Sequence, residues 1–176
     1  MFAVPWLKFI IRLTRSPYDA SMGHDLSRLR DHSEPVDVYV AAAGRTQEAF
    51  ARRRAEYRLD DGVVGELKRL SGGYVVVVFS AEWCPDCMRN VPVLDLISEA
   101  TGLEVRVFGH IMRDAKSSTE RWRTPPSPVE VKEFDVVKIP LIVVLDRDGE
   151  RVGEIVENPP PGKTVEGALL DILRRA

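Results

Sequence analysis

Apolar positions along the chain change their period at several points, and each change marks an element. Tyr74 to Phe79 is an unbroken β-branched and aromatic run of strand length, the pattern of a strand buried on both faces. Val91, Leu94 and Ile97 then recur at helical spacing as far as Ala100, and Leu103, Val105, Val107 and Gly109 alternate with Glu104, Arg106 and Phe108 as a second strand. Strand, helix and strand in that order form a βαβ unit, whose strands pair in parallel. Further on, a helix is expected over Val129 to Phe134, and Ile139-Pro140 opens a wholly apolar strand at Leu141 to Leu145. Asp146-Arg147-Asp148-Gly149 turns that strand into Glu150 to Val156, an antiparallel hairpin at a sheet edge. Thr164 caps a last amphipathic helix with Val165, Leu169, Ile172 and Leu173 inside and Arg174-Arg175 at its negative end. From Tyr74 the order is βαβ and then αββα, an α/β fold.

The flanking segments carry weaker patterns. Thr46 to Arg58 is read as a helix with Phe50 and Tyr57 one heptad apart and Arg52-Arg53-Arg54 facing solvent. Gly62 to Leu70 gives a shorter helix with Val63, Leu67 and Leu70 on one side, stopped by Ser71-Gly72-Gly73. Ser16 to Pro35 mixes Pro, Gly, His, Ser and Asp and reads as a linker, with His24 and His32 solvated. Ile111 to Pro128 holds Arg113, Lys116, Arg121, Trp122, Arg123 and three prolines, and reads as a basic loop with one helical turn at most. At the N-terminus Trp6, Phe9, Ile10 and Leu13 share a helical face opposite Lys8, Arg12 and Arg15, a face suited to docking on the protein's own domain or on a sister subunit as a homo-oligomer. Residues 1–45 are therefore expected to be an extension and 46–176 the main domain.

Composition narrows the function classes. The chain has 176 residues, 25 basic and 27 acidic, for a formal net charge of −2, so no global field draws it to nucleic acid. Lys8 and Arg12 interrupt the apolar run from Met1 long before the roughly 18 residues of a transmembrane helix, and they fall within and after the run rather than ahead of it as in a secretory signal. No transmembrane segment and a cytoplasmic location are the expectations. Gly162-Lys163-Thr164 resembles the end of a phosphate loop, but the glycine required five positions earlier is Glu157. No flavin- or nicotinamide-binding motif is evident either, so no cofactor is expected.

The two cysteines, Cys84 and Cys87, stand where the central strand gives way to its helix. A Cys-x-x-Cys at a helix start places the first thiol near unpaired N–H groups and the positive end of the dipole, which favour its thiolate, and the second about one turn on. Three uses compete: half of a metal site, a structural bridge, or a redox dithiol. Zinc needs about four ligands, and no further cysteine exists to help supply them, so no metal is expected. A bridge between such near neighbours closes almost no chain and has little entropic reason to exist. Redox use is the strongest reading.

Ala81-Glu82-Trp83-Cys84-Pro85-Asp86-Cys87, then Pro92, then Ile139-Pro140 before a strand and hairpin, together resemble the thioredoxin family, over roughly Gly62 to Ala176. The resemblance implies a thioredoxin-like three-layer sandwich with an N-terminal helical extension. It also implies an exposed nucleophile at Cys84, a buried resolving thiol at Cys87 and a redox disulfide between them. Trp83 would be a flanking aromatic, Pro85 and Asp86 supporting residues, and Pro140 a cis-proline facing the dithiol. Ile139 would pair its backbone with an extended substrate chain. The activity implied is a thiol:disulfide oxidoreductase, most simply a protein disulfide reductase. Its substrates would be disulfide-containing proteins or small molecules, and a separate reductase would donate electrons. The alternative is a non-catalytic binding module whose dithiol is a redox-sensitive latch. Two departures stand out. The family's buried carboxylate, six residues before the first cysteine, is Val78 here, and the gap between Cys87 and Pro140 is longer than in a minimal thioredoxin. Asp86 supplies a carboxylate between the cysteines, and its charge is expected to oppose the Cys84 thiolate and raise that pKa. His110 is read as a satisfied strand-end histidine.

Overall fold

The computed structural model describes residues 23–176. Its elements in chain order are α1 (Leu26–His32), β1 (Glu34–Pro35), α2 (Val36–Thr46), α3 (Glu48–Glu56), α4 (Asp61–Leu70), β2 (Val75–Phe79), α5 (Pro85–Thr101), β3 (Glu104–Phe108), α6 (Glu130–Glu133), β4 (Leu141–Leu145), β5 (Arg151–Val156) and α7 (Val165–Leu173). The strands form one mixed sheet in the order β1-β3-β2-β4-β5, flanked by helices as an α/β sandwich. β2 pairs in parallel with β3, Val77 opposite Arg106, and antiparallel with β4, Val77 opposite Val143. With partners on both sides and every residue buried, β2 is the central strand that its β-branched run predicts. β4 and β5 make the expected antiparallel hairpin, and β5 is an edge.

Local chemistry sets the ends of the elements. Pro85 occupies the first turn of α5, where its missing N–H costs nothing, and Gly102 at φ 76° ends that helix in the left-handed conformation. The Thr164 hydroxyl accepts from the Gly167 N–H and caps α7. α5 packs against α2, α3, α4 and α7. Its buried face of Val91, Leu94 and Ile97 joins a single apolar core with both buried strands.

The N-terminal part of the description differs from the sequence reading. Ser16 to Pro35 is not all linker: within it Asp25 caps α1 by accepting from the Ser27 and Arg28 N–H groups, and β1 adds an antiparallel edge strand beside β3. A seven-residue helix burying one leucine, Leu29, is too short for periodicity to register. The helix expected over Thr46 to Arg58 is α3, Glu48–Glu56, and a helix the sequence reading did not assign, α2, ends just ahead of it, the two being separated at Gln47 where the backbone turns extended. α2 buries Val36, Tyr39, Val40 and Ala43, so the core runs back across residue 46 to Leu29. The boundary drawn there falls inside one core. Arg52 is exposed as expected, but Arg54 binds Asp95 and Glu99 on α5, and the Arg53 guanidinium lies 4.4 Å from the centroid of the Tyr57 ring. His24 is not solvated: its ring stacks on Phe134, and Nδ1 sits 2.7 Å from Glu133. His32 is half-exposed and pairs with Glu130. The amphipathic face of the first fifteen residues, and any oligomer formed through it, lies outside the described residues. No helix among the described residues is long and apolar enough to cross a membrane.

Candidate functional site

The site is built at the C-terminal end of β2. Beyond Phe79 the chain runs through Ser80, Ala81, Glu82 and Trp83 to Cys84, which is the N-cap residue of α5 with extended backbone (φ −86°, ψ 120°). Cys87 lies one turn into the helix and is fully buried, and both thiols are free. The Cys84 thiol points at the Ile139 carbonyl, 3.5 Å away, and the Ile139–Pro140 peptide is cis. Hence β2, α5 and the chain entering β4 converge on one pair of sulfurs. Cys84 is only 6% exposed, against 0% for Cys87, so the order of access follows expectation while Cys84 is far less open than the resemblance implies. Ile139 and Pro140 are buried as well, and they close over it.

The two thiols have opposite acidities. Cys84 is brought down to about 6, first by its hydrogen bond with the Cys87 thiol and then by the backbone N–H groups of Cys87 and Asp86, against the opposing effect of burial. Cys87 is pushed up, first by burial and next by its hydrogen bond with Cys84. Asp86 acts in the expected direction, its charge raising the Cys84 pKa, but the Cys87 hydrogen bond and the backbone N–H groups outweigh it. The carboxylate ranks behind burial and the hydrogen bonds to Cys87 and the backbone. It is also occupied: Asp86 Oδ1 accepts from Arg89 Nη1 at 2.9 Å and from Asn158 Nδ2 at 3.1 Å. Asn90 donates to the Glu157 carbonyl and to Asn158 Oδ1, which ties the first turns of α5 to the loop after β5.

Trp83 is 45% exposed, the largest aromatic surface beside the thiols, and its indole N–H donates to the Ile111 carbonyl at 2.9 Å. That bond attaches the flanking aromatic to the basic loop. The loop is itself anchored, with Ile111 and Trp122 buried, the Trp122 N–H donating to the Val136 carbonyl, and Arg113 bridged to Trp122. Pro85 is exposed beside the dithiol, and Val78 is fully buried where the resemblance puts a carboxylate.

Residues that no motif announces complete the interior side. The Tyr39 hydroxyl, from α2, lies 3.0 Å from the Ser80 hydroxyl, and both groups are buried. Glu82 Oε1 lies 3.0 Å from His110 Nδ1, so the strand-end histidine borders the site. Glu82 stands inside the quoted motif, yet only packing reveals its neighbours. A hollow of about 650 Å³ between α2, α3 and α5, lined by Val40, Ala51, Arg54 and Asp95, lies apart from the thiols. Among the described residues no cluster of three or more His, Cys, Asp or Glu is placed to hold a metal ion.

The sequence model of a family described as Thioredoxin matches residues 33–169. No curated protein matches the chain. Among solved structures the chain is similar to a protein of unknown function from Pseudomonas aeruginosa, at 22% identity and a TM-score of 0.61 over 86% of this chain and 96% of that one. It is also similar to an HIV epitope-scaffold, at 22% identity and a TM-score of 0.63 over the same shares of the two chains. A thioredoxin from Aeropyrum pernix aligns over 53% of this chain and 70% of its own, with 19% identity and a TM-score of 0.32. The family match begins at β1, well before the stretch that carries the motif resemblance, and takes in β2, α5, both cysteines and the cis-proline. The chain belongs to the thioredoxin family.

Proposed function

We propose that the protein is a thiol:disulfide oxidoreductase that works as a protein disulfide reductase. The observation that carries this reading is the division of labour between two thiols one helical turn apart, Cys84 held as a thiolate near neutral pH and Cys87 held protonated in the interior. The Cys84 thiolate attacks one sulfur of a substrate disulfide, the S–S bond breaks, and the departing thiolate takes a proton from water. Cys87 then loses its proton and attacks Cys84 Sγ, forming the Cys84–Cys87 disulfide and releasing the second substrate thiol. The substrate gains two electrons and the protein loses them. A separate donor reductase restores the dithiol.

A thiol at about 6 stands nearer to the roughly 7 of a reducing thioredoxin dithiol than to the about 3.5 of a strongly oxidising one, which favours the reductive direction. In the site's further roles, the exposed face of Trp83 and the backbone at Ile139 receive the substrate chain, and Pro140 covers the sulfurs. The test is turnover of a protein disulfide with dithiothreitol as electron donor. Wild-type protein reduces the substrate over many cycles, and Cys84→Ser abolishes the reaction. A Cys84→Ser variant that keeps full turnover contradicts the proposal. A wild-type protein that binds partners without reducing them is the redox-latched binding module instead.

A further inference from the structure

The resolving step requires Cys87 to lose a proton in the interior, and the position from which a family member's carboxylate would take it is Val78, fully buried among apolar side chains. The groups that do reach the interior side of Cys87 come from elsewhere in the chain. Ser80 follows β2, and its hydroxyl lies beside the Cys87 thiol. Tyr39, contributed by α2, sets its hydroxyl 3.0 Å from Ser80 Oγ. Burial above all keeps the proton on that phenol, and the neighbouring Glu82 carboxylate acts in the same direction. Glu82 is half-buried, in contact with His110 Nδ1 at 3.0 Å, and His110 Nε2 faces Glu34 at 3.8 Å. The backbone is shaped for this arrangement: a Cβ on Gly109 would come within 2.6 Å of Tyr39 Cε2, so glycine there gives the tyrosine ring its seat.

From this geometry we infer that Glu82 is the proton acceptor for Cys87, reached through the Ser80 and Tyr39 hydroxyls. The inference rests on the oxidoreductase reading. As Cys87 attacks the mixed disulfide, its proton passes to Ser80 Oγ, the Ser80 proton passes to Tyr39 Oη, and the Tyr39 proton passes to the Glu82 carboxylate. Both hydroxyls end as they began. Cys87 Sγ forms its bond to Cys84 Sγ, the bond from Cys84 to substrate breaks, and the substrate thiolate leaves with the electron pair. Glu82 then returns its proton to solvent at its exposed edge, where His110 and Glu34 are the charged or titratable neighbours. Ser80 and Tyr39 are positioning residues, since neither needs to ionise. A buried tyrosine hydroxyl has to find partners in any case, but a hydrogen-bonded pair of hydroxyls set between a buried thiol and a partly exposed carboxylate is placed to carry a proton from one to the other.

The test follows the reduced full-length protein mixed with dithiobis(nitrobenzoate) by stopped-flow absorbance. Attack by Cys84 releases a first coloured thiolate, and closure by Cys87 releases a second. In wild-type protein both appear, the second with a pH profile that has an acidic limb from the acceptor. Glu82→Gln and Tyr39→Phe are each expected to slow the second phase by about a hundredfold, the low end of what a positioned acid–base group supplies, and to leave it rising with hydroxide concentration. Glu82→Asp restores part of the rate. Release of the first thiolate by each variant shows that it is folded around Cys84. A second phase unchanged in rate and pH profile in either Glu82→Gln or Tyr39→Phe overturns the relay, while leaving the oxidoreductase reading intact. Failure of the wild-type protein to release a second thiolate overturns that reading, and the relay with it.

Discussion

Cys84 and Cys87 are separated by two residues and sit in different media. On the Cys84 side, the helix N-terminus, the Cys87 thiol and two backbone N–H groups favour a thiolate that faces the Ile139 carbonyl. On the Cys87 side, burial outweighs everything else and the thiol keeps its proton among Ser80, Tyr39 and the core. The difference teaches that one turn of helix is enough to give two thiols opposite acidities, the division that the proposed attacking and resolving roles need, provided that its first residue caps the helix and its fourth points into the interior.

The comparison breaks most completely if the interior thiol is removed. Cys87→Ser is expected to stop turnover after one attack and to leave substrate covalently bound through Cys84, a species visible by intact-mass spectrometry that dithiothreitol releases. Catalytic turnover at the wild-type rate would show that the two thiols are not divided in this way.

Native alkylation sharpens the contrast in acidity. Iodoacetamide is expected to label Cys84 with a midpoint near pH 6, while Cys87 stays unlabelled until the protein unfolds. The same shift has a thermodynamic sign. Because the folded pKa of Cys84 lies below its unfolded value of roughly 8.5, its contribution to the stability of the dithiol form is fully present above that value. It is lost as pH falls through about 6. Denaturant titrations of the dithiol form across this window test it.

A smaller effect is expected from Gly109→Ala, whose methyl group meets the Tyr39 ring and crowds the interior side. Overpacking of this kind costs about 1–3 kcal/mol, measurable by urea unfolding, and the rim at Ile139 is expected to hold its geometry. The smallest change is Asp86→Asn. Removing a charge that opposes the thiolate lowers the Cys84 alkylation midpoint by a step smaller than the one separating Cys84 from an ordinary thiol. A rise would reverse the sign assigned to that carboxylate.

Much of the fold and of the site is legible in the sequence, for identifiable reasons. β2, β4 and α7 carry long apolar runs or clear helical periodicity, and burial follows from those patterns directly. Cys84, Cys87, Trp83 and Asp86 lie within one short motif, and Pro140 opens a strand, so each could be named from the sequence. α1 and β1 are too short to leave a periodic signal, whereas Val36, Tyr39, Val40 and Ala43 do recur at helical spacing, in a stretch read only as part of the extension. The partners of the site were illegible for a different reason. Tyr39 meets Ser80 across 41 positions, and His110 meets Glu82 through the turn after β3, so only tertiary packing brings them together. For Asp86 the charge and its sign are legible in the sequence, whereas its ties to Arg89 and Asn158 are not.

The measurement that tests the central claim most directly is the equilibrium reduction potential of the Cys84–Cys87 couple, obtained by titrating the protein against defined dithiol/disulfide buffers. A reductase whose Cys84 is only moderately acidic is expected to titrate between about −270 and −200 mV. A potential near −120 mV, or no reversible couple between the two cysteines, would contradict the account.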